Sequence, residues 1–464
     1  MKNSESFDAI IIGSGQGGGP LSTALANAGM RTALVEREHV GGTCINEGCT
    51  PTKTMIASGR VAYLARRAAD FGVHTGPISI DMQKIRQRKR DIVNSFRGGS
   101  ESKIKQTANL DLIFGEASFR DEKTIVVRVK DGNERTLSAE RIFINAGARS
   151  SRPKIDGLDS VPFLDNASIM ELEEVPEHLL VLGGGYIGLE FGQLFRRLGS
   201  RVTIIQSAGQ LLTREDPDIA EEVRKILEQD GVTVLLNATV KRVSSDSPQV
   251  VLNFEQGGKQ ATLTGSHLLV ATGRIPNSDS LNLPAAGVKI DGHGFIEVNE
   301  RLETNVRGIY ALGDIKGGPA FTHISYDDYR ILRTNLLENG QRTTTGRMVP
   351  YTVFIDPQLG RVGLTETEAR QQGRKIRVAR LPMSSVARAL EVDEARGFMK
   401  AVVDAETQQL LGAAVLGLEG GEVMAVIETA MMGKLPYTVL RDATYAHPTL
   451  AESLNNLFMA MDKA

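Results

Sequence analysis

The chain has no tryptophan, only two cysteines, and aromatic side chains at 5% of its 464 positions. Two cysteines cannot build a four-thiolate metal cage or a framework of structural disulfides. Neither sign of charge is in excess, since 54 Lys and Arg face 56 Asp and Glu and leave −2. That balance gives no reason to expect nucleic acid or an anionic membrane as partner. No apolar run approaches the roughly 20 residues that a membrane-spanning helix needs. The opening MKNSESFDAIIIG holds no apolar stretch of about 7–15 residues before its first glycine turn, so no secretory signal is expected. A cytoplasmic enzyme is the expectation, with the 41% apolar and 24% charged content of an ordinary globular protein. Its length asks for about two to four domains. Basic segments such as RQRKR (86–90) are short, this one followed by Asp91, and read as a solvated helix face.

Both cysteines lie in one glycine-flanked turn, GGTCINEGCTPTK (41–53), with Cys44 and Cys49 five positions apart. Five residues of ideal helix rise about 7.5 Å, beyond the roughly 4.4–6.8 Å between Cα atoms that a disulfide allows. If the sulfurs bond, the turn between them is not regular α-helix. Gly48 offers a permissive backbone there, and Pro51 suits a helix beginning near it. Cys49 then stands at a helix N-terminus, where the dipole favours thiolate. The alternative is two buried and inert cysteines. In a reducing compartment a lone close pair is more often catalytic than structural.

Glycine is abundant, at 48 residues, and two clusters of it repeat one pattern. FDAIII (7–12) reads as a buried strand, followed by the turn Gly13-Ser-Gly15-Gln-Gly-Gly18, an Ala/Leu-rich helix, and the strand TALVE ending at Glu36. Strand, glycines, helix, strand and acid together make a dinucleotide site. The glycines admit the pyrophosphate to the backbone, the helix N-terminus binds it, and the acid reaches a ribose hydroxyl. HLLVL (178–182), Gly183-Gly-Gly185-Tyr-Ile-Gly188 and RVTII (201–205) repeat the order. Glu36 stands 23 residues after Gly13, and the same offset from Gly183 lands on Gln206. Gln206 lacks the charge that would repel a 2′-phosphate, which leans toward NADPH over NADH. Arg214 is the nearest downstream cation.

These motifs, in this order, resemble the class I pyridine nucleotide–disulfide oxidoreductases, the family of dihydrolipoamide dehydrogenase, glutathione reductase and mercuric reductase. NAGA (145–148), ATGRIPN (271–277), YALGD (310–314), FIDPQLGRVGLTE (354–366) and HPTLAE (447–452) extend the resemblance over the whole length. It implies an α/β protein with two Rossmann-like dinucleotide-binding domains and an α+β C-terminal dimerisation domain. The expected divisions are an FAD domain over 1–152, an NAD(P) domain over 153–275, a central segment over 276–345 and an interface domain over 346–464. FAD is implied at Gly13, Gly15, Gly18, Glu36, Gly42, Thr43, Lys53, Ala117, Ala146, Gly147 and Asp314. NADPH or NADH is implied at the second turn, Gly183, Gly185, Gly188 and Gln206, with Tyr186 over the nicotinamide pocket, and Gly273 and Arg274 are further implied cofactor contacts. Gly147 and Gly273 mark the strand ends where the chain passes between domains. Lys53 is expected near the flavin, paired with Glu190.

The resemblance further implies that Cys49 is the flavin-side thiol and Cys44 the interchange thiol that attacks a substrate disulfide. His447 is the implied acid/base, oriented by Glu452 and contributed across a homodimer, which makes the dimer obligatory. The implied activity is that of an NAD(P)H-dependent flavoprotein disulfide reductase acting on a small disulfide, with no resident metal. Departures narrow the acceptor. The chain has no C-terminal cysteine pair of the kind mercuric and large thioredoxin reductases use. Tyr445 stands where lipoamide dehydrogenases carry a histidine, and Ser453 follows Glu452 where glutathione reductases carry a second acid. HPTLAESLNNLF also resembles stress-linked flavoprotein reductases that handle metal ions or oxidants. A metal-ion or quinone acceptor is therefore the alternative.

Overall fold

Residues 9–12 are continuously apolar and buried, as a parallel strand covered on both faces requires. In the computed structural model, which describes residues 4–462, they end the strand Glu5–Ile12. The strand begins ahead of the apolar run because Glu5 and Ser6 pair with Leu137 and Ser138. It lies parallel to Thr32–Glu36 on one side and to Glu134–Ile144 on the other. Ile309–Ala311 extends the sheet beyond Glu134–Ile144. Leu110–Asp121 and Glu134–Ile144 are long enough to serve twice. One end of each pairs in the parallel sheet, and the other end pairs antiparallel with Thr124–Val129. Leu21, Leu25, Phe143, Leu312 and Ile331 fill one core of this region, and Phe119, Ile125, Val127 and Leu137 another.

The chain divides into two compact units. One comprises the segments through Thr54, Gln83–Ser151 and Gly273–Arg347. The other comprises Met55–Met82, Arg152–Thr272 and the chain from Met348 onward. In the first unit the segment ends are tied by a ribbon. Ala148–Ser150 pairs antiparallel with Arg274–Pro276, and Ser151 donates its N–H to the Gly273 carbonyl at 2.9 Å.

The second unit repeats the strand–glycine–helix order in His178–Leu182, the helix Tyr186–Leu198 and Arg201–Ile205. These strands form a four-stranded parallel sheet with His267–Val270 and Thr233–Leu235. A separate five-stranded antiparallel sheet spans residues 351–417. Ile427 of the helix Gly420–Met432 and Leu457 and Phe458 of Ser453–Met461 share a core with Val415 of that sheet. The α/β class and the two dinucleotide folds match the expectation from sequence.

One residue departs from expectation. The helix Met82–Gln106 carries the run 86–90, whose Gln87, Arg88 and Arg90 are exposed as expected, while Lys89 is 3% exposed and not on that solvated face. Helical spacing puts it on the stripe of Met82 and Val93, both buried. Among the described residues no helix is long and apolar enough to cross a membrane, and no group of three or more His, Cys, Asp and Glu is placed to hold a metal.

Candidate active site

The turn carrying the cysteines is two helices with a break. Cys44 lies in the short helix Gly42–Asn46, and Cys49 is the first residue of Cys49–Arg66. The long helix starts before Pro51, which falls in its first turn, where the missing N–H has no intrahelical partner to lose. Gly48 is required by a close approach rather than by an unusual backbone angle. A Cβ there would sit 2.8 Å from the Thr43 carbonyl oxygen. Both cysteines are thiols, with Cys44 half-buried and Cys49 at the helix start.

The Cys44 thiol is held well above its ordinary pKa. The first cause is its hydrogen bond with the Cys49 sulfur, followed by burial and by the negative charge of Cys49, while Thr322 and Lys53 oppose the shift. Two thiols in contact cannot both ionise readily. The pair therefore carries one negative charge far more readily than two, and a helix start of the kind Cys49 occupies favours thiolate. Thr322 touches the Cys49 sulfur through its hydroxyl at 3.4 Å. It opens the helix Thr322–Leu337, and nothing in the cysteine motif pointed to it.

Beside this turn stands the first glycine loop. A Cβ on Gly13 would lie 2.3 Å from the Asn145 carbonyl oxygen, and one on Gly18 would lie 2.1 Å from the Gly13 carbonyl oxygen. A Cβ on Gly42 would lie 2.7 Å from the Gly15 Cα, so loop and redox turn meet backbone to backbone. Asn145 ties the loop to the strand end that carries YALGD. Its Oδ1 accepts the Gly18 N–H at 2.9 Å, and its Nδ2 donates to the Leu312 carbonyl at 2.8 Å. Asn145 opens the NAGA segment, directly before Ala146 and Gly147, and the motif alone carries no sign of its two bonds.

Glu36, at the end of its strand and 8% exposed, accepts from the Ser14 N–H at 3.0 Å, the Ser14 hydroxyl at 2.6 Å and the Glu38 N–H at 2.8 Å. A carboxylate offers about four acceptor sites, which leaves capacity for a ribose hydroxyl. Arg274 donates to Asp314 Oδ2 at 2.6 Å and to the Ala148 carbonyl at 2.6 Å. It therefore stands with the flavin-side residues rather than in the unit that carries the second glycine turn. Ala117 lies in the strand Leu110–Asp121, opposite Val127 and buried. A glycine cradle that no Cβ could share, a helix N-terminus behind it and a buried acid at the neighbouring strand end fit the pyrophosphate and ribose of FAD. Gly13, Gly15, Gly18 and Glu36 would hold it.

In the second unit a Cβ on Gly188 would lie 2.2 Å from the Gly183 carbonyl oxygen, the same approach as in the first loop. Tyr186, half-buried, is the first residue of the helix behind it. Gln206 follows its strand directly, its Oε1 accepting the Gly184 N–H at 3.2 Å. Glu190 is 3% exposed and accepts the Phe354 N–H at 2.9 Å. Arg214 is exposed.

His447 points its Nδ1 at Glu452, 2.8 Å from Oε2 and 3.0 Å from Oε1. The carboxylate selects the tautomer that carries hydrogen on Nδ1 and leaves Nε2 to exchange a proton. The segment is held by Thr449, whose hydroxyl donates to the Ala446 carbonyl at 2.8 Å and accepts the Glu452 N–H at 3.2 Å. The His447 side chain is 69% exposed.

A flavin-type cradle, a second dinucleotide turn and a coupled thiol pair define a flavoprotein of the disulfide-reducing kind. Residues 7–328 match the pyridine nucleotide-disulphide oxidoreductase family, and residues 349–458 match the dimerisation domain of that family. The chain is 41% identical over 456 residues to a probable pyridine nucleotide-disulfide oxidoreductase, RclA, of Escherichia coli, covering 97% of this chain and 98% of that one. It is 36% identical to a mercuric reductase of Bacillus cereus, over 98% of this chain and 72% of that one. The Cu(II) complex of the HOCl-induced flavoprotein disulfide reductase RclA from Escherichia coli superposes with a TM-score of 0.90 at 39% identity, over 98% of this chain and 99% of that one. The chain belongs to the pyridine nucleotide-disulphide oxidoreductase family, whose members use FAD and NAD(P)H.

Proposed function

We propose that the enzyme passes electrons from NADPH to a small disulfide through the Cys44–Cys49 pair, with His447 of the partner subunit as acid/base and Glu452 as its orienter. The observation that carries this reading is the polarity of the pair. Cys44 is the thiol whose proton is hard to remove, first because it is hydrogen-bonded to the Cys49 sulfur and then because it is buried. A nucleophile in that state needs a base, and an imidazole whose tautomer is fixed by a carboxylate is the group to supply it. Bound FAD supplies the two-electron relay between nicotinamide and disulfide. The residues of the chain do the rest. The Cys44 thiolate attacks one sulfur of the acceptor disulfide, and the departing thiolate takes the proton held by His447. Cys49 then displaces the second thiolate and re-forms the internal disulfide, and that thiolate takes its proton from solvent, the H+ consumed together with NADPH, so that two electrons and two protons leave as two thiols. Residues 1–152 and 276–345 serve the flavin in this reading, 153–275 the nicotinamide and 346–464 the dimer contact.

A second reading is supported by the Cu(II) complex of the Escherichia coli relative. The same thiol pair, soft and close together, would donate to a thiophilic or redox-active metal ion as acceptor. One assay separates the two. Disulfides, Cu(II), Hg(II) and quinones are offered to the holoenzyme with NADPH and with NADH, and to Cys44→Ser. Turnover of a disulfide by the wild type and its loss in Cys44→Ser, with quinone reduction retained, is the expected result. No disulfide turnover beside Cys44-dependent Cu(II) or Hg(II) reduction moves the assignment to the metal. Failure of anaerobic NADPH to generate two new thiols in the wild type removes the cycle altogether.

A further inference from the structure

One cation next to the redox turn has no part in the cycle above. Arg97 belongs to the helix Met82–Gln106 and is half-buried. Its Nε donates to Asn46 Oδ1 at 2.7 Å. Asn46 is two residues after Cys44 and three before Cys49, and it ends the short helix that carries Cys44. Its Nδ2 donates backward to the carbonyls of Gly42 at 2.9 Å, Val40 at 3.1 Å and His39 at 3.4 Å. One amide thus closes the turn on itself. Its orientation has a single consistent solution, because reversing it would set Oδ1 against three carbonyl oxygens and Nδ2 against a guanidinium donor.

A helix of five residues has no stability of its own, so the position of Cys44 depends on contacts outside it. We infer that Arg97 is a positioning residue of the redox turn, holding Cys44 against Cys49 through the Asn46 amide. The hydrogen bond is charge-assisted, which makes it stronger than a neutral contact. Loosening the turn adds conformational freedom to the dithiol form more than to the cross-linked form. The effective concentration of one thiol toward the other falls, and the internal disulfide becomes easier to reduce. The inference deepens the proposed disulfide cycle and rests on Cys44 and Cys49 being its working pair.

The test is an equilibrium that needs no acceptor. Holoenzyme is poised with dithiothreitol and its oxidised form, so that one dithiol is oxidised as the other disulfide is reduced, and thiols are counted by alkylation after quenching. Arg97→Met should move the Cys44–Cys49 equilibrium about tenfold toward the dithiol, on the order of 30 mV for this two-electron couple. Arg97→Lys, which keeps a charged donor, should recover at least half of that shift. Asn46→Ala should match Arg97→Met, and the double variant should be no worse than Asn46→Ala alone. Melting temperature should stay within a few degrees of the parent. An Arg97→Met equilibrium within twofold of the parent overturns the inference. So does a shift that adds in full to that of Asn46→Ala, or one that appears only with a general loss of thermal stability. Should Asn46→Ala not yield holoenzyme, Arg97→Met against Arg97→Lys decides the matter. A wild type without disulfide turnover defeats the proposed cycle while leaving this equilibrium measurable, so the two failures are distinct.

Discussion

Gln206 accepts the backbone N–H of Gly184 through its side-chain carbonyl at 3.2 Å. In the first glycine loop Glu36 takes the N–H of Ser14 at 3.0 Å. The two pairs have the same spacing of 22 residues, so Gln206 occupies the place of a ribose acid and keeps its loop-closing bond without its charge. Replacing Gln206 by Glu should therefore preserve the loop and change the nucleotide. We expect kcat/KM for NADPH to fall at least tenfold relative to NADH, about 1.4 kcal/mol or more, through repulsion of the 2′-phosphate. Steady-state comparison of the two nucleotides checks it, and an unchanged ratio would place the discrimination elsewhere.

The raised pKa of Cys44 sets the pH behaviour of a variant without its base. A thiol whose pKa lies above the ordinary value is mostly protonated near neutrality, and its thiolate fraction climbs as pH rises. In His447→Ala we expect disulfide turnover to drop about 10²–10⁴-fold at neutral pH. The residual rate should then rise by roughly tenfold per unit of pH on the alkaline side, as long as the thiol stays mostly protonated. A residual rate flat in pH would mean that Cys44 is not the group being deprotonated.

Asp328 is fully buried between Lys316 at 3.3 Å and Arg347 at 2.6 Å, and it accepts the Gly313 N–H at 2.8 Å. Asp328→Ala removes the buried acid beside Lys316, leaves Arg347 with Asp327 alone at 3.6 Å, and frees the backbone beside Asp314. A loss of about 3–5 kcal/mol is expected, read as a lower melting temperature and weaker flavin retention on dilution. Asp328→Asn keeps an acceptor for Gly313 and should lose less.

Glu47 is exposed and sits between the cysteines, at the end of the short helix. If its carboxylate screens acceptors by charge, Glu47→Val should raise kcat/KM for an anionic disulfide such as glutathione disulfide about threefold or more relative to an uncharged one. Identical profiles would leave Glu47 with a role in the turn alone.

Local pattern carried much of this molecule. The strands 178–182 and 201–205 and the strand end at Glu36 were readable residue for residue, because short, mostly apolar runs flanking a glycine turn and its helix have one sensible use. Thr322 was not readable, because it meets Cys49 from 273 residues away along the chain, and a threonine opening a helix has many ordinary explanations. Lys89 was misread because its neighbours are charged, while its own position is set by the helical stripe of Met82 and Val93. Arg97 gave no signal at all, since its meaning lies in one amide of a distant turn.

The ribbon of Ala148–Ser150 with Arg274–Pro276 closes with Ser151 bonded to the carbonyl of Gly273. The excursion over residues 152–272 therefore leaves and rejoins the first unit at one place. Whatever is threaded between residues 151 and 273 adds nothing to the distance those two ends must span, so its length is free to vary at the small entropic cost of a longer loop.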